Sequence, residues 1–190
     1  MNDLRFRLTG TCPMLLNNGQ TANPLNKYAK AIAAISRKQK KTDEEIEKLA
    51  RIEFEAGWYL GAGGGYVIPA HNLESCMVNG AKKNKNGKAV SAGSFVIADA
   101  PLVFEGSDKS IEELWGGGGH ALMCTVGISR RRVLRTRPMV PAGWTAEITV
   151  RHDPELVDAD VIRQSLEVAG REKGHGDWIP KYGRFKVDQL

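Results

Sequence analysis

Alternating apolar and polar positions predict the strands of a sheet. Leu4, Phe6 and Leu8 alternate with polar or charged residues near the start of the chain, which is the period of two expected of a strand with one buried face. Positions 144–150 show the same alternation, with a tryptophan first. Shorter apolar runs predict further strands at 66–68, 95–97, 102–104 and 184–187.

Apolar residues three or four positions apart predict the helices. Thr42 and Glu45 form the T-x-x-E pattern of a capping box, and apolar residues follow at intervals of four, so a helix is expected over 43–58. An alanine-rich stretch predicts another helix over 25–37. The remaining predicted helices are one over 73–83 capped by Asn72, a short one at 111–115, and one that follows Asp158 or Asp160.

The order of these elements predicts an α+β fold. It is compatible with a ferredoxin-like, or RRM-like, antiparallel sheet with helices on one face and with inserted helices and loops. A single domain is expected over 1–190, with a helical insertion at about 25–58. A basic loop is expected at about 82–92, because this stretch is rich in Lys, Asn and Gly.

The composition is typical of a globular protein, with 42% hydrophobic and 26% charged residues. No apolar run is long enough to cross a bilayer, and the first residues lack the apolar centre of a signal peptide, so a cytoplasmic protein without a membrane partner is expected. Cys12, Cys76 and Cys124 lie far apart without any CxxC pair. Neither a disulfide framework nor a metal or other cofactor is therefore predicted.

Basic residues are concentrated in four segments, although the net charge of +5 is moderate. The segments are 37–41, 82–88, 130–137 and 171–186, whereas acidic residues fall mostly elsewhere. Faces of opposite charge are therefore expected. The first segment is interpreted mainly as a solvated connection between two helices.

The stretch 122–137 is the most basic of the predicted strands. Side chains alternate between the two faces of a strand, so the three consecutive arginines at 130–132 cannot all face solvent on a regular strand. A hairpin that overhangs the sheet is the preferred interpretation, and an edge strand protected by its charge is the alternative. Candidate nucleic-acid contacts in this hairpin and the basic loop are Lys82, Lys83, Lys85, Lys88, Arg130, Arg131, Arg132 and Arg135.

The stretch 169–185 combines glycines, cations and aromatic rings. Glycine permits a positive φ or a close approach to a ligand, cations bind phosphate, and ring faces stack on bases. The alternative is a helix C-cap followed by an ordinary turn, with the tryptophan packed in the core. Candidate contacts here are Arg171, Lys173, Gly174, Gly176, Trp178, Lys181, Tyr182 and Arg184.

Three stretches point to a known family. They are Leu8-Thr9-Gly10-Thr11-Cys12-Pro13-Met14-Leu15, then Tyr66-Val67-Ile68-Pro69-Ala70-His71-Asn72-Leu73-Glu74, and the glycine-rich stretch from Gly170 to Phe185. Together they resemble the repeat-associated mysterious protein (RAMP) superfamily, the ferredoxin-like RNA-binding subunits of CRISPR effector complexes. The resemblance implies a backbone-type subunit, or a stand-alone relative such as one carried by a bacteriophage. It also implies single-stranded nucleic acid bound without base readout by several copies side by side.

The chain departs from the family pattern at two places. Asn72 and Glu74 stand where the family often has a basic residue, which weakens a phosphate contact there. The glycine-rich stretch contains Asp177, and its Trp178-Ile179-Pro180 is bulkier than the usual small residues.

Catalysis is not expected, and His175 is the weak candidate for a catalytic residue. Some members of the superfamily cleave RNA with a histidine as general acid or base. His175 lies in sequence near Lys173 and Lys181, whose charges could stabilise a pentacoordinate phosphate. No histidine pair has metal-ligand spacing, and no serine or cysteine has a recognisable nucleophile context.

The sequence therefore predicts a binding module for single-stranded RNA or DNA, with RNA favoured, that works without sequence readout as an oligomer. Its affinity is expected to fall steeply with salt. Two alternatives stay open. One is a protein-interaction factor, meaning a phage or accessory subunit that binds or mimics part of a nucleoprotein complex, which the acidic patches and Glu74 favour. The other is a histidine-dependent ribonuclease.

Overall fold

A computed structural model describes residues 1–128 and 131–190. Ser129 and Arg130 lie outside the described residues, as do the side chains of Ile128 and Arg131. The predicted α+β class is confirmed, with mostly antiparallel strands. In chain order the elements are β1 (Asn2–Gly10), β2 (Met14–Leu15), α1 (Lys27–Ser36), α2 (Asp43–Gly57), β3 (Val67–Ile68), α3 (Ala70–Ala81), α4 (Gly87–Gly93), β4 (Ser94–Val96), β5 (Ala100–Val103), α5 (Ile111–Gly116), β6 (Ala121–Ile128), β7 (Arg131–Val140), β8 (Thr145–His152), α6 (Ala159–Val168) and β9 (Phe185–Gln189).

The chain divides into two compact units. The first comprises Met1–Met14, Tyr59–Ser107 and Val140–Leu190, and the second comprises Leu15–Trp58 and Asp108–Met139. The second unit thus consists of two segments that interrupt the first one along the sequence. Compact units can belong to one domain, so the expectation of a single domain over 1–190 stays a prediction.

The first unit is built on a sheet with the strand order β3-β5-β8-β1-β9, and β4 also pairs with β8. Strand β1 lies between two antiparallel partners, β8 from Asn2↔His152 to Thr9↔Thr145 and β9 from Phe6↔Gln189 to Gly10↔Phe185. Its alternation has the predicted effect, because Phe6 and Leu8 are buried whereas the arginines between and before them are exposed.

Helices α3 and α6 of the first unit approach each other at a glycine. A Cβ atom on Gly80 would lie 2.0 Å from the backbone oxygen of Ser165, so only glycine permits this packing. The predicted apolar stripe of α3 is confirmed, since Leu73, Met77 and Ala81 are all buried. The corresponding residues of α6 are Ile162 and Leu166, which are buried as well.

The second unit contains α1 and α2, which are the predicted helical insertion, together with α5 and the β6–β7 ribbon. The capping box of Thr42 and Glu45 is present at the start of α2, as predicted. Phe54 is fully buried and meets Trp58 edge to face, with 5.7 Å between the ring centres. The three-stranded sheet has the order β2-β7-β6.

Two expectations about the segment 70–92 are wrong. The basic loop is helical, because a 3₁₀ turn over Lys82–Asn84 is followed by α4. The polar composition of the stretch gave no indication that Val90 of this helix is completely buried. Asn72 does not cap α3, which begins at Ala70, and the first backbone N–H of that helix donates to Asp99 Oδ1 at 2.9 Å.

The other predicted helices and strands are present with shifted ends. The stretch 122–137 forms a hairpin of β6 and β7, in the register Ala121↔Pro138 to Ile128↔Arg131. Within the described part of the chain, no helix combines the length and the apolar composition needed to cross a bilayer.

Candidate nucleic-acid interface

Three lysines of the segment 82–92, which the sequence predicted to be a basic loop, line one groove of the first unit. Lys82, Lys85 and Lys88 border a groove of about 700 Å³, which we call the lysine groove. Lys85 adopts a left-handed conformation with φ of 62°, which ends the 3₁₀ turn before α4 begins. The described residues that line the groove include no carboxylate. Three cations that share a groove, with no carboxylate among its described lining residues, attract a polyanion.

An acidic residue joins this region to the C-terminal stretch of the same unit. Glu172 Oε2 lies 3.5 Å from Lys83 Nζ, and Glu172 Oε1 accepts a hydrogen bond from Arg171 at 3.1 Å. The hydrogen bond from Arg171, and then that from Lys83, lower the pKa of the Glu172 carboxyl. Two of the predicted contacts, Lys83 and Arg171, therefore share one carboxylate, which reduces the charge that either offers to a ligand.

We call residues 174–184 the glycine loop, and backbone hydrogen bonds hold it in place. His175 N donates to Gly183 O at 2.8 Å, and Gly183 N donates to Pro13 O at 2.8 Å. Gly183 has a φ of 75°, and a Cβ atom there would lie 1.7 Å from His175 O. No larger residue fits this position, so the close approach of the two backbone segments that these hydrogen bonds join requires glycine.

The start of the chain contacts the glycine loop. Thr11 N donates to Arg184 O at 2.8 Å, and the Cys12 thiol accepts from Arg184 N at 3.2 Å. From α3, the buried Cys76 thiol lies 3.5 Å from Gly174 O, and burial raises the pKa of that thiol to about 12. It is therefore a protonated donor at neutral pH. The first and third of the stretches that resemble the RAMP superfamily thus lie against each other.

The exposed side of the glycine loop carries two rings and several cations. The ring centres of Trp178 and Tyr182 are 6.4 Å apart, and Lys181 Nζ lies 5.4 Å from the centre of the Tyr182 ring. Both rings are partly exposed, so Trp178 is not a core residue. Of the other predicted contacts in this stretch, Arg171, Gly176, Lys181 and Arg184 are exposed, Lys173 is partly exposed, and Gly174 is buried.

His175, by contrast, is buried and does not reach the surface of the loop. It is 7% exposed, and burial lowers its pKa to about 4, so the imidazole is neutral at neutral pH. A neutral, enclosed imidazole is a poor general acid and cannot reach a phosphate on the surface. The structure therefore gives no support to His175 as a catalytic residue.

Most of the charge on the exposed face of the first unit's sheet is paired. Arg7 lies 2.7 Å and Arg5 3.5 Å from the carboxylate of Glu147, and Arg151 lies 2.7 Å from Asp3. The hydrogen bond from Arg7 lowers the pKa of Glu147, which keeps this partner charged. Lys186 on β9 is also exposed on this face and forms no ion pair with a described carboxylate, so the sheet face keeps one cation in addition to those of the lysine groove and the glycine loop.

In the second unit the arginines lie on the β6–β7 ribbon. No residue of β6 from Ala121 to Gly127 is buried, as expected of a ribbon open to solvent on both faces. Of the predicted contacts, Arg132 is exposed, and Arg135 is partly exposed. The predicted contact Arg130 lies outside the described residues, and Arg131 is described by its backbone alone.

Arg135 is tied to a buried glutamate that the sequence analysis missed. Glu53, whose side chain is 7% exposed, accepts from Arg135 Nη1 at 2.8 Å and from Thr136 N at 2.8 Å. Its position in the sequence carried a signal, because Ala50, Glu53, Phe54 and Gly57 have the spacing of one buried helix face. Arg135 is therefore held in place by the fold and is less free to bind phosphate.

The second unit also has a groove that the ribbon shares with the connection between α1 and α2. Arg37, Lys38 and Lys41 line it together with Arg132 and Arg135, and its volume is about 750 Å³. We call it the arginine groove. The segment 37–41, interpreted from the sequence as a solvated connection, thus contributes cations to a concave surface.

The described part of the chain has no metal-binding cluster, since no three His, Cys, Asp or Glu side chains come together there. Cys12, Cys76 and Cys124 form no disulfide bond with one another.

No protein-family model matches the chain, and no curated protein matches it. The resemblance to the RAMP superfamily accordingly stays a prediction.

We expect Glu53→Ala to destabilise the fold by about 2–3 kcal/mol, because it leaves the Arg135 guanidinium and Thr136 N without their acceptor. Urea unfolding of the variant and the wild type measures this loss. Glu55→Ala is the matched control, since Glu55 lies on the same helix and pairs with the more exposed Arg51. Its effect should be much smaller, and equal losses in the two variants would contradict the structural role of Glu53.

We expect the burial of His175 to make stability depend on pH. In the unfolded chain its pKa is near the ordinary 6.5, whereas in the folded protein it is about 4. Between these values the unfolded chain binds a proton that the folded protein excludes, so stability falls as the pH is lowered from 7 to 4, by up to about 3 kcal/mol.

Urea unfolding across this pH range tests the point by comparing the wild type with His175→Gln, which should have a flatter profile. His71→Gln, at an exposed position, is the control and should keep the wild-type profile. An NMR titration that found an ordinary pKa for His175 would contradict its burial.

Proposed function

We propose that the protein binds single-stranded nucleic acid, with RNA favoured, without reading its sequence. The observation that carries the proposal is the lysine groove, where Lys82, Lys85 and Lys88 meet with no carboxylate among the described lining residues. Lysine side chains bind phosphate as point charges, and contacts to the phosphate backbone carry no sequence information. Affinity therefore depends on charge and on salt.

The glycine loop supports a preference for single strands. Trp178 and Tyr182 are partly exposed beside Lys181 and Arg184, so rings and cations alternate along one short segment. Aromatic rings stack on bases of any type, but the bases of a duplex keep their faces stacked on one another. Because the loop backbone is fixed through Gly183, these groups are held in position before a ligand arrives.

The proposed scaffold is a ferredoxin-like sheet. Support comes from the chain order β1, α3, β4 with β5, β8, α6 and β9, which follows the β-α-β-β-α-β succession of that fold. In space, β1 lies between β8 and β9, and β4 and β5 both pair with the other edge of β8, at its two ends. A relationship to the RAMP superfamily is part of the same proposal, and it implies self-association, side by side, along a strand. The lack of a disulfide among the three cysteines supports a reducing compartment such as the cytoplasm.

A second candidate function is a protein-interaction factor that binds part of a nucleoprotein complex. The observation that favours it is a set of exposed apolar side chains on β4, on β5 and in the turn between these strands. Phe95, Ile97 and Val103 are 40%, 42% and 57% exposed. Exposed apolar groups of this kind are common at protein interfaces. A histidine-dependent ribonuclease has no such support, because His175 is buried.

We expect Lys82→Ala, Lys85→Ala and Lys88→Ala together to weaken binding of single-stranded RNA at least tenfold at low salt. The variant should also show a smaller decrease in affinity with increasing salt, because fewer counterions are released. Fluorescence anisotropy with a labelled single strand at several salt concentrations measures both effects.

The control variant carries Lys27→Ala, Lys30→Ala and Lys48→Ala, which remove the same charge from exposed positions on α1 and α2. Its affinity should stay close to that of the wild type. If the two triple variants behave alike, binding follows net charge, and the lysine groove is not the site.

A further inference from the structure

The arginine groove has more positive charge than its structural ion pairs use. Five cations line it against one carboxylate, that of Glu53. Glu53 holds Arg135, and Lys38 pairs with Glu45. Arg37, Lys41 and Arg132 form no ion pair with a carboxylate of the described residues. The fold therefore brings two guanidinium groups and an ammonium group to one concave surface, and none of the three is in an ion pair with a described carboxylate.

The same groove has an apolar wall. Ile46 of α2 and Leu134 of β7 line it and are 39% and 42% exposed, and Leu49 and Val133 lie beside them along the lining. Surface residues of this type are normally scattered, but here they share a groove with the unpaired cations. A ligand that fills the groove should have both an anionic and an apolar part.

A polar atom without a partner lies in this lining as well. Thr136 is 1% exposed, and its hydroxyl has no hydrogen-bond partner among the described residues. A buried hydroxyl without a partner costs free energy, so the polar groups of this lining are not fully satisfied by the described residues. The backbone N–H of the same residue is already bound to Glu53.

We propose that the arginine groove binds a nucleotide through a terminal phosphate. A phosphate monoester carries a charge of about −1.5 to −2 at pH 7, more than the single charge of a diester within a strand. The planar guanidinium groups of Arg37 and Arg132 suit its oxygens, and the apolar wall accepts the nucleoside. The groove volume of about 750 Å³ lies within the range of small-molecule sites.

Two sources share this chemistry, a free 5′-mononucleotide and the 5′-phosphorylated end of a strand. The proposal goes beyond backbone binding in the lysine groove. It rests on residues of the second unit alone, whereas the lysine groove belongs to the first. Either proposal can therefore be disproved without affecting the other.

Isothermal titration calorimetry with adenosine 5′-monophosphate, adenosine and inorganic phosphate tests the site. The monophosphate should bind at least tenfold more tightly than either fragment, because only it has both parts. Arg37→Gln with Arg132→Gln should weaken it at least tenfold. Lys30→Gln with Lys48→Gln removes the same charge outside the groove and should leave the affinity unchanged. Thermal unfolding shows that each variant is folded.

Competition by two ten-nucleotide strands of one sequence separates the sources. If a strand end is captured, the 5′-phosphorylated strand displaces the monophosphate and the 5′-hydroxyl strand does not. If the site takes only free nucleotides, neither strand displaces the monophosphate. Both of these results support the proposal. Absence of saturable monophosphate binding, displacement of the monophosphate by the 5′-hydroxyl strand as well as by the 5′-phosphorylated strand, or wild-type affinity in the arginine variant would overturn it. Wild-type binding of the 5′-hydroxyl strand, followed by anisotropy, reports separately on the proposed function.

Discussion

The backbone contact of Gly183 with the turn after β1 is the constraint on which the candidate site of the first unit depends. Gly183 N donates to Pro13 O, and the space around its Cα leaves no room for a side chain. This contact fixes the glycine loop against the start of the chain. The rings of Trp178 and Tyr182 then remain partly exposed, although the loop itself is anchored, so the proposed binding of a strand would require little ordering.

The distribution of carboxylates decides which cations are available. Acidic residues pair with arginines on the sheet face, and Glu53 holds Arg135 within the second unit. The exposed pairs on the sheet face add little stability, unlike the buried Glu53, but both kinds of pair neutralise charge where a ligand would otherwise bind. The lysine groove and the arginine groove keep their excess charge. A moderate net charge of +5 thus corresponds to two localised basic surfaces.

Local patterns in the sequence predicted the α+β class, most elements and the cap at Thr42, because these depend on neighbouring residues. Contacts between distant residues could not be predicted. The first backbone N–H of α3 is bound by Asp99 rather than capped by Asn72. The expected basic loop is partly helical, and its helix is anchored by the buried Val90. In the site, the lysines and the glycine loop were predicted, whereas the contribution of 37–41 to a groove depends on its tertiary neighbours.

The central claim is that the protein binds single-stranded nucleic acid without reading its sequence. The most direct measurement is the affinity of the wild-type protein for two single-stranded RNAs of unrelated sequence, and for the duplex of one of them, over a range of salt concentrations. Similar affinities for the two strands, weaker binding of the duplex and a steep decrease with salt are predicted. No binding at low salt, or a strong preference for one sequence, would contradict the account.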